Sequence, residues 1–243
     1  MTTKPIAARD RLILALDVPT VSEAERLLSQ LEDSIQFVKI GLELYTAAGP
    51  DILRRLAEQG KDVFLDLKFL DIEETVRRAT ARVAEMGVEF LTVHANRKAL
   101  RAAVQGRKEG GNTGLKLLAV TVLTNFDATD LRDMGIQWNL ADLVAARAKL
   151  AAEAGFDGVV ASGEEPAVIR QKVGKDFLIV TPGIRPAGKG ANEHARVSTP
   201  SSAIKAGADY LVVGRPIRDA ADPRAAARPR RAAAGERVLH PRL

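Results

Sequence analysis

Short apolar runs occur eight times along the chain and alternate with longer amphipathic segments. The intervening segments, for example 22–32 (SEAERLLSQLE) and 51–60 (DILRRLAEQG), place apolar residues at helical spacing. Strands that alternate with helices indicate a parallel sheet, and eight such units in about 250 residues fit a single-domain (β/α)8, or TIM, barrel. The first run is followed by VPT rather than by the glycine fingerprint of a doubly wound sheet. The eight runs are LILALD (12–17), QFVKI (36–40), DVFLDL (62–67), EFLTVH (89–94), LKLLAVTV (115–122), DGVVAS (157–162), FLIVT (177–181) and DYLVVG (209–214).

The composition restricts the class of protein further. A chain of 243 residues with 46% hydrophobic residues can form one well-packed domain. It contains no cysteine, which excludes disulfides and thiolate metal sites. No run approaches the roughly 20 apolar residues of a membrane span, and the first ten residues lack a signal-like apolar segment. We therefore expect a cytoplasmic protein with no membrane partner.

The excess positive charge is confined to one end of the chain. The formal net charge is +5, and residues 224–243 contain six arginines and one glutamate, which leaves 30 basic and 30 acidic residues before them. Aromatic residues are only 4% of the chain and do not interleave with basic ones. A neutral body without stacking residues argues against a nucleic-acid partner.

Polar and charged residues follow nearly every predicted strand. In a barrel of this type the active site lies at the carboxyl ends of the strands, where these side chains would meet. The stretch FLDLKFLDIEETV (64–76) is the most unusual, because it places charges at the end of a strand that is otherwise apolar. The polar residues at or after the strand ends are Asp17, Lys39, Asp66, Lys68, His94, Thr121, Thr124, Ser162, Arg185 and Arg215.

Two kinds of chemistry can be separated in this set. Gly183 with Arg185, and Gly214 with Arg215, form glycine–arginine turns after the last two strands, where barrels of this type commonly bind phosphate. The other group alternates carboxylates and ammonium groups and comprises Asp17, Lys39, Asp66, Lys68 and Asp71. It lacks a metal-ligand spacing of His or Glu, so we expect a metal-free site, although carboxylates alone could hold Mg²⁺ through water.

The alternating charges suit a reaction in which an anionic group departs. Opposite charges about 4 Å apart attract by roughly 4 kcal/mol at an effective dielectric of 20, so each lysine would keep its carboxylate neighbours ionised. A substrate carboxylate beside Asp66 would be repelled until it left as a neutral molecule, while Lys68 delivered a proton to the vacated carbon. Proton abstraction next to a carbonyl would use similar groups. The residues alone leave decarboxylation and proton abstraction open.

The segments DLKFLDIEET, TPGIR and VVGRPI, with others between residue 11 and about residue 223, resemble motifs of the orotidine 5′-phosphate decarboxylase family. The stretch DLKFLDIEET is similar to the family's D-x-K-x-x-D-I-x-x-T motif. The resemblance implies a barrel that converts orotidine 5′-phosphate to uridine 5′-phosphate and CO₂ in pyrimidine biosynthesis, without metal or organic cofactor. The other matching segments are LALD, FVKIGLELYTAAGP, LAVTVLT, TPGIR and VVGRPI.

The same resemblance implies a role for each matching residue. Lys68 would donate the proton to C6, and Asp66 would face the departing CO₂. Lys39 would fix the array and the ribose, while Asp17 would bind ribose hydroxyls. The family forms homodimers, so Asp71 and Thr75 are expected to act in the partner's site. The remaining substrate contacts would come from Thr124, Ser162, Arg185, His194, Gly214 and Arg215; His194 stands where the family has glutamine.

The carboxyl-terminal segment departs from the family's pattern. The family continues with a helix that closes the barrel, whereas residues 224–243 are basic, contain Pro229 and offer few large apolar residues. We therefore predict three regions: a polar extension over 1–10, the barrel over 11–223 and an atypical basic tail over 224–243 in place of the last helix.

Two rival functions remain. One is a Mg²⁺-dependent aldolase of the same barrel group, similar to 3-hexulose 6-phosphate synthase. The other is non-catalytic: a damaged barrel that still binds nucleotide phosphates, or a protein that binds polyanions through its tail.

Overall fold

A computed structural model of the chain describes residues 6–185 and 198–228. Its eight strands are all parallel and form a closed barrel in the order of the sequence, β1 pairing with β8. Every predicted strand is present, and the predicted TIM barrel is confirmed. The strands are β1 (Leu12–Ala15), β2 (Phe37–Gly41), β3 (Asp62–Phe69), β4 (Phe90–His94), β5 (Lys116–Val120), β6 (Gly158–Val160), β7 (Leu178–Thr181) and β8 (Tyr210–Val213).

Helices follow the strands and cover the outside of the barrel. Many begin at a side chain that caps the first turn; Asn96 and Asp127, for example, accept hydrogen bonds from backbone N–H groups. Short 3-10 turns lie at Ala8–Arg11 and Glu32–Ser34, and residues 223–228 are helical. The α-helices are α1 (Val21–Leu31), α2 (Leu42–Ala48), α3 (Asp51–Glu58), α4 (Glu73–Glu85), α5 (Arg97–Glu109), α6 (Ala128–Asp133), α7 (Leu140–Glu153), α8 (Pro166–Val173), α9 (Pro200–Ala206) and α10 (Arg215–Arg218).

The inside of the barrel is a small apolar core with the polar site above it. Alternate residues of each strand point inward, so the strands contribute side chains in layers. The buried inner cluster is Ile13, Ala15, Phe37, Phe64, Phe90, Leu118, Val180 and Val212. Two residues further along three of these strands come Asp17, Lys39 and Asp66. Because alternate side chains point inward, the next inward side chain on each of these three strands lies in the site.

The larger core lies between the barrel and its helices. The tightest helix contact in this layer is made by α4 and α5 at Gly106. A Cβ atom at this position would lie 2.1 Å from the carbonyl oxygen of Arg77. Only glycine allows the two helices to approach this closely.

The beginning of the predicted tail is helical rather than irregular. Asp222 accepts a hydrogen bond of 2.9 Å from the backbone N–H of Ala225, and Ala227 is fully buried. Arg224 forms an ion pair of 2.8 Å with Glu32. Residues 229–243 lie outside the described part, so the predicted replacement of the last helix remains a prediction, as do the domain boundaries. Across residues 6–185 and 198–228, no helix is long and apolar enough to cross a membrane.

Candidate active site

A cavity of about 470 Å³ opens at the carboxyl ends of the strands, above the apolar floor formed by residues such as Phe64 and Val212. Its volume is typical of small-ligand sites. Both groups of residues singled out in the sequence meet in this cavity. The predicted site residues that line it are Asp17, Lys39, Asp66, Lys68, Thr124, Arg185, Gly214 and Arg215.

Four of these residues form a continuous chain of alternating charge. The Lys39 Nζ lies 2.9 Å from Asp17 Oδ1 and 3.6 Å from Asp66 Oδ2. The Lys68 Nζ lies 3.0 Å from the same Asp66 oxygen. Asp66 is therefore held between two ammonium groups.

The backbone register explains how Lys39 reaches both carboxylates. Gly41 pairs with Asp66 across β2 and β3, whereas Lys39 pairs with Phe64, one pleat lower. The lysine side chain extends upward past Gly41, where a Cβ atom would lie 3.1 Å from both Lys39 Nζ and Asp17 Oδ1. The glycine leaves the space that the ion pair occupies.

Burial and ion pairing have opposite effects on the pKa values of Asp66 and Lys39. Burial alone would raise the pKa of Asp66, but Lys39 and Lys68, with hydrogen bonds from Lys68 and Thr92, hold that pKa below its ordinary value. Burial would lower the pKa of Lys39, but Asp66 and Asp17 raise it above the usual value. Both groups are therefore charged at neutral pH.

The end of β3 departs from regular strand geometry at Lys68. The pairing of β3 with β4 shifts register between Leu65 and Phe69, and Lys68 has a φ of 52°. A lysine rarely adopts this left-handed conformation, and such strain is concentrated at functional sites. The bulge means that strict alternation does not apply here, yet the Lys68 ammonium still contacts Asp66.

His94 ends β4 in a half-buried position near this array. Burial has the largest effect and lowers the pKa of His94, and the positive charges of Lys68 and Arg147 lower it further. Together these effects outweigh the opposite effect of Asp66. The imidazole is therefore neutral at pH 7.

The side of the cavity above β7 and β8 is basic. Arg185 follows β7, and its backbone N–H donates a 3.0 Å hydrogen bond to the carbonyl of Ser198. Gly214 precedes α10, and Arg215 is the first residue of that short helix. Gly183, with a φ of 74°, forms the turn between β7 and Arg185. This side has the positive charge that suits an anion.

Three predicted residues do not line the cavity. Asp71 is exposed, and its Oδ1 accepts a 2.6 Å hydrogen bond from the backbone N–H of Ile72, so it does not join the array of its own chain. Thr75 is exposed on α4. Ser162 is fully buried; its backbone N–H donates to Glu165, and its hydroxyl has no partner among the described residues. His194 lies outside the described residues.

Three further residues belong to the site although the sequence did not single them out. Gly41 makes room for the lysine, and Thr92 contacts Asp66. Arg218 lines the cavity, and its guanidinium donates a 2.5 Å hydrogen bond to the carbonyl of Asp17. Arg218 could have been found, because it lies one helical turn after Arg215.

The described residues contain no group of three His, Asp or Glu side chains that could hold a metal ion. The described residues around the cavity supply paired charges, a neutral imidazole and a basic side.

Known proteins are similar to this chain over most of its length. A curated relative from Methylobacterium sp. (strain 4-46), named orotidine 5′-phosphate decarboxylase, is 52% identical over 226 residues, which cover 93% of this chain and 96% of the relative. A relative of the same name from Rhodopseudomonas palustris (strain BisA53) is 51% identical and covers 92% of this chain and 94% of its own. The crystal structure of orotidine 5′-phosphate decarboxylase from Lactobacillus acidophilus superposes with a TM-score of 0.83 at 38% identity, covering 93% of this chain and 99% of that one.

The family model described as "Orotidine 5′-phosphate decarboxylase / HUMPS family" matches residues 10–229. The match includes all eight strands and every described residue of the cavity. The chain therefore belongs to the orotidine 5′-phosphate decarboxylase / HUMPS family.

Proposed function

We propose that this protein decarboxylates orotidine 5′-phosphate to uridine 5′-phosphate and CO₂. The observation that carries the proposal is the cavity itself, where the chain of charges from Asp17 to Lys68 faces a basic side formed by Arg185 and Arg215. The relatives at about half identity carry the name of this enzyme, which favours decarboxylation over proton abstraction.

The two sides of the cavity suit the two ends of such a substrate. The phosphate would lie against Arg185, Gly214 and Arg215, and the ribose hydroxyls against Asp17 and Lys39. Binding energy from the phosphate would hold the reacting carbon beside Asp66 and Lys68. Thr124 lines the cavity and can contact the base, whereas Ser162 could do so only if its turn moved. His194 remains a predicted phosphate contact.

The chemical step follows from the charges at Asp66. Its ionised carboxylate repels the substrate carboxylate in the ground state, and that repulsion disappears as neutral CO₂ departs. The carbon–carbon bond breaks with its electron pair left on C6, and the Lys68 ammonium supplies the proton that forms the new C6–H bond. Lys68 then regains a proton from solvent. The bond breaks heterolytically and Lys68 supplies the proton, so the step consumes no oxidant. We propose that it also needs no metal or organic cofactor.

We further propose a homodimer in which Asp71 and Thr75 complete the partner's site. Asp71 and Thr75 are both exposed in the single chain. Beside them, Leu70 is 58% exposed and Ile72 72% exposed, and Leu42 at the start of α2 is 57% exposed. Contiguous exposed apolar patches mark interfaces, so we propose that these three side chains lie together in the dimer interface.

Mixing two inactive variants tests the dimer. Lys68→Ala and Asp71→Ala are each expected to be inactive, but a heterodimer of the two contains one intact site. Random reassociation should restore about a quarter of the sites. No recovery in a sample shown to contain heterodimers would contradict the sharing of Asp71.

The decarboxylase proposal is tested by the fall in ultraviolet absorbance when the purified protein meets orotidine 5′-phosphate in EDTA. The native protein and Lys149→Ala, which changes an exposed lysine on α7, should remove the orotate chromophore. Lys68→Ala should not. A folded, dimeric native protein that leaves the absorbance unchanged would reject the proposal, and activity that EDTA abolishes would favour the Mg²⁺-dependent aldolase.

The remaining predictions rest on separate measurements. Salt-sensitive binding of polyanions that is lost on deletion of residues 224–243 would support the binding-only alternative. A cytoplasmic location remains a prediction from the sequence, and cell fractionation tests it.

A further inference from the structure

Thr92 connects the two residues to which the proposed chemistry is assigned. It lies in the middle of β4, fully buried, two residues beyond Phe90 on the inward face of the strand. Its hydroxyl donates a 2.9 Å hydrogen bond to Asp66 Oδ1. The Thr92 hydroxyl oxygen also accepts a 2.9 Å hydrogen bond from the backbone N–H of Lys68.

The bond to Lys68 replaces one that the sheet cannot provide. The register shift takes Lys68 out of the regular ladder between β3 and β4, and its φ of 52° is strained for a lysine. A partly buried backbone N–H left without a partner is costly. The Thr92 hydroxyl supplies that partner and so favours the strained conformation, which directs the Lys68 side chain toward Asp66.

The bond to Asp66 determines which carboxylate oxygen faces which group. Oδ1 is occupied by Thr92, so Oδ2 is directed to the two ammonium groups, 3.0 Å from Lys68 Nζ and 3.6 Å from Lys39 Nζ. The Thr92 hydroxyl has one proton, which it donates to Asp66, and its oxygen accepts the N–H of Lys68. Thr92 therefore couples the backbone of one site residue to the carboxylate of the other.

We infer that Thr92 is a positioning residue for the reaction, acting through Asp66 and Lys68 without touching the substrate. The inference rests on the proposed function, since it concerns the geometry of the same site. The hydrogen bond to a carboxylate is also one of the interactions that keep the pKa of Asp66 low.

The test compares Thr92→Val, which removes the hydroxyl at nearly constant shape, with Thr92→Ser, which keeps it. Thr80→Val is the matched control, because Thr80 is equally buried but its hydroxyl has no partner among the described residues. We expect Thr92→Val to lower kcat by about 10- to 100-fold with KM changed less than about 2-fold. Thr92→Ser should recover most of kcat, and Thr80→Val should retain it.

The pH profile supplies a readout that a purely structural defect would not change. Without the hydroxyl the ionised form of Asp66 is less stabilised, so the acid limb of kcat should move to higher pH in Thr92→Val and stay in place in Thr92→Ser. Lys39, Lys68 and His94 interact with Asp66 directly, whereas Asp17 pairs with Lys39 and Arg147 acts on His94. None of them is altered in these variants.

A crystal structure of Thr92→Val separates this inference from the proposed function. We expect Lys68 to leave its positive φ or its contact with Asp66. If both are retained and kcat is unchanged, the inference is overturned. If the native protein shows no decarboxylation, the proposed function fails, and the structure of the variant still decides whether Thr92 holds Lys68 and Asp66 in place.

Discussion

Replacing Asp66 by asparagine tests whether this carboxylate holds the charged array together. The carboxylate lies between two ammonium groups at 3.0 Å and 3.6 Å, and its side chain is only 13% exposed. At an effective dielectric of about 20, these pairs attract by roughly 5.5 and 4.6 kcal/mol before the cost of burying the charges is subtracted. Asparagine keeps the shape and one oxygen acceptor but leaves the lysines without this counter-charge.

The expected loss is a fraction of the gross attraction. Removing one partner from a buried ion pair costs about 3–5 kcal/mol, and the one hydrogen bond that the amide oxygen can keep places Asp66→Asn toward the lower end. We expect the free energy of unfolding to fall by about 2–4 kcal/mol at pH 7. Asp133→Asn, at an exposed position at the end of α6, should change it by less than about 0.5 kcal/mol.

The effect depends on pH in a defined direction. Because the folded-state pKa of Asp66 lies below its ordinary value, its contribution is fully present above the unfolded pKa of about 3.9 and is lost as the pH falls through the folded pKa. The difference between the native protein and Asp66→Asn should stay constant from about pH 8 to 5 and decrease below about pH 4. Urea unfolding at several pH values measures it. An Asp66→Asn variant as stable as the native protein at pH 7 would refute the reasoning.

Two glycine substitutions test close contacts. Gly41→Ala places a methyl group 3.1 Å from both members of the Asp17–Lys39 ion pair and should lower kcat/KM by about 3- to 30-fold with little change in stability; unchanged kinetics would show that the space is not needed. Gly106→Ala puts a Cβ atom 2.1 Å from the Arg77 carbonyl and should reduce the free energy of unfolding by about 1–3 kcal/mol, although alanine favours a helix by about 1 kcal/mol. A Gly106→Ala protein that needs more denaturant to unfold would contradict that packing argument.

The eight strands were predictable because strands that are covered on both faces require apolar runs. The ends of the strands were harder to predict. The first predicted run spans 12–17, whereas β1 ends at Ala15, where the chain turns toward the site. The charged residues Asp17, Lys39, Asp66 and Lys68 were found because charge at the end of an apolar run is unusual.

Features that depend on register could not be predicted in this way. The left-handed conformation of Lys68 and its hydrogen bond to Thr92 arise from a bulge between β3 and β4, and the residues themselves give no local sign of it. The role of Gly41 likewise appears only when β2 is aligned with β3. Asp71 follows the strand closely in sequence, yet it faces solvent in the single chain.

The most direct test of the central claim is the fate of the carboxyl group and of C6 in one reaction. Orotidine 5′-phosphate labelled in its carboxyl carbon is incubated with the protein and EDTA in D₂O, and labelled CO₂ and the deuterium content of the product are measured together. The account predicts one labelled CO₂ for each uridine 5′-phosphate and one deuterium at C6, because the Lys68 ammonium exchanges with solvent before it donates. No labelled CO₂ from folded dimer, or product formed at the native rate by Lys68→Ala, would contradict it.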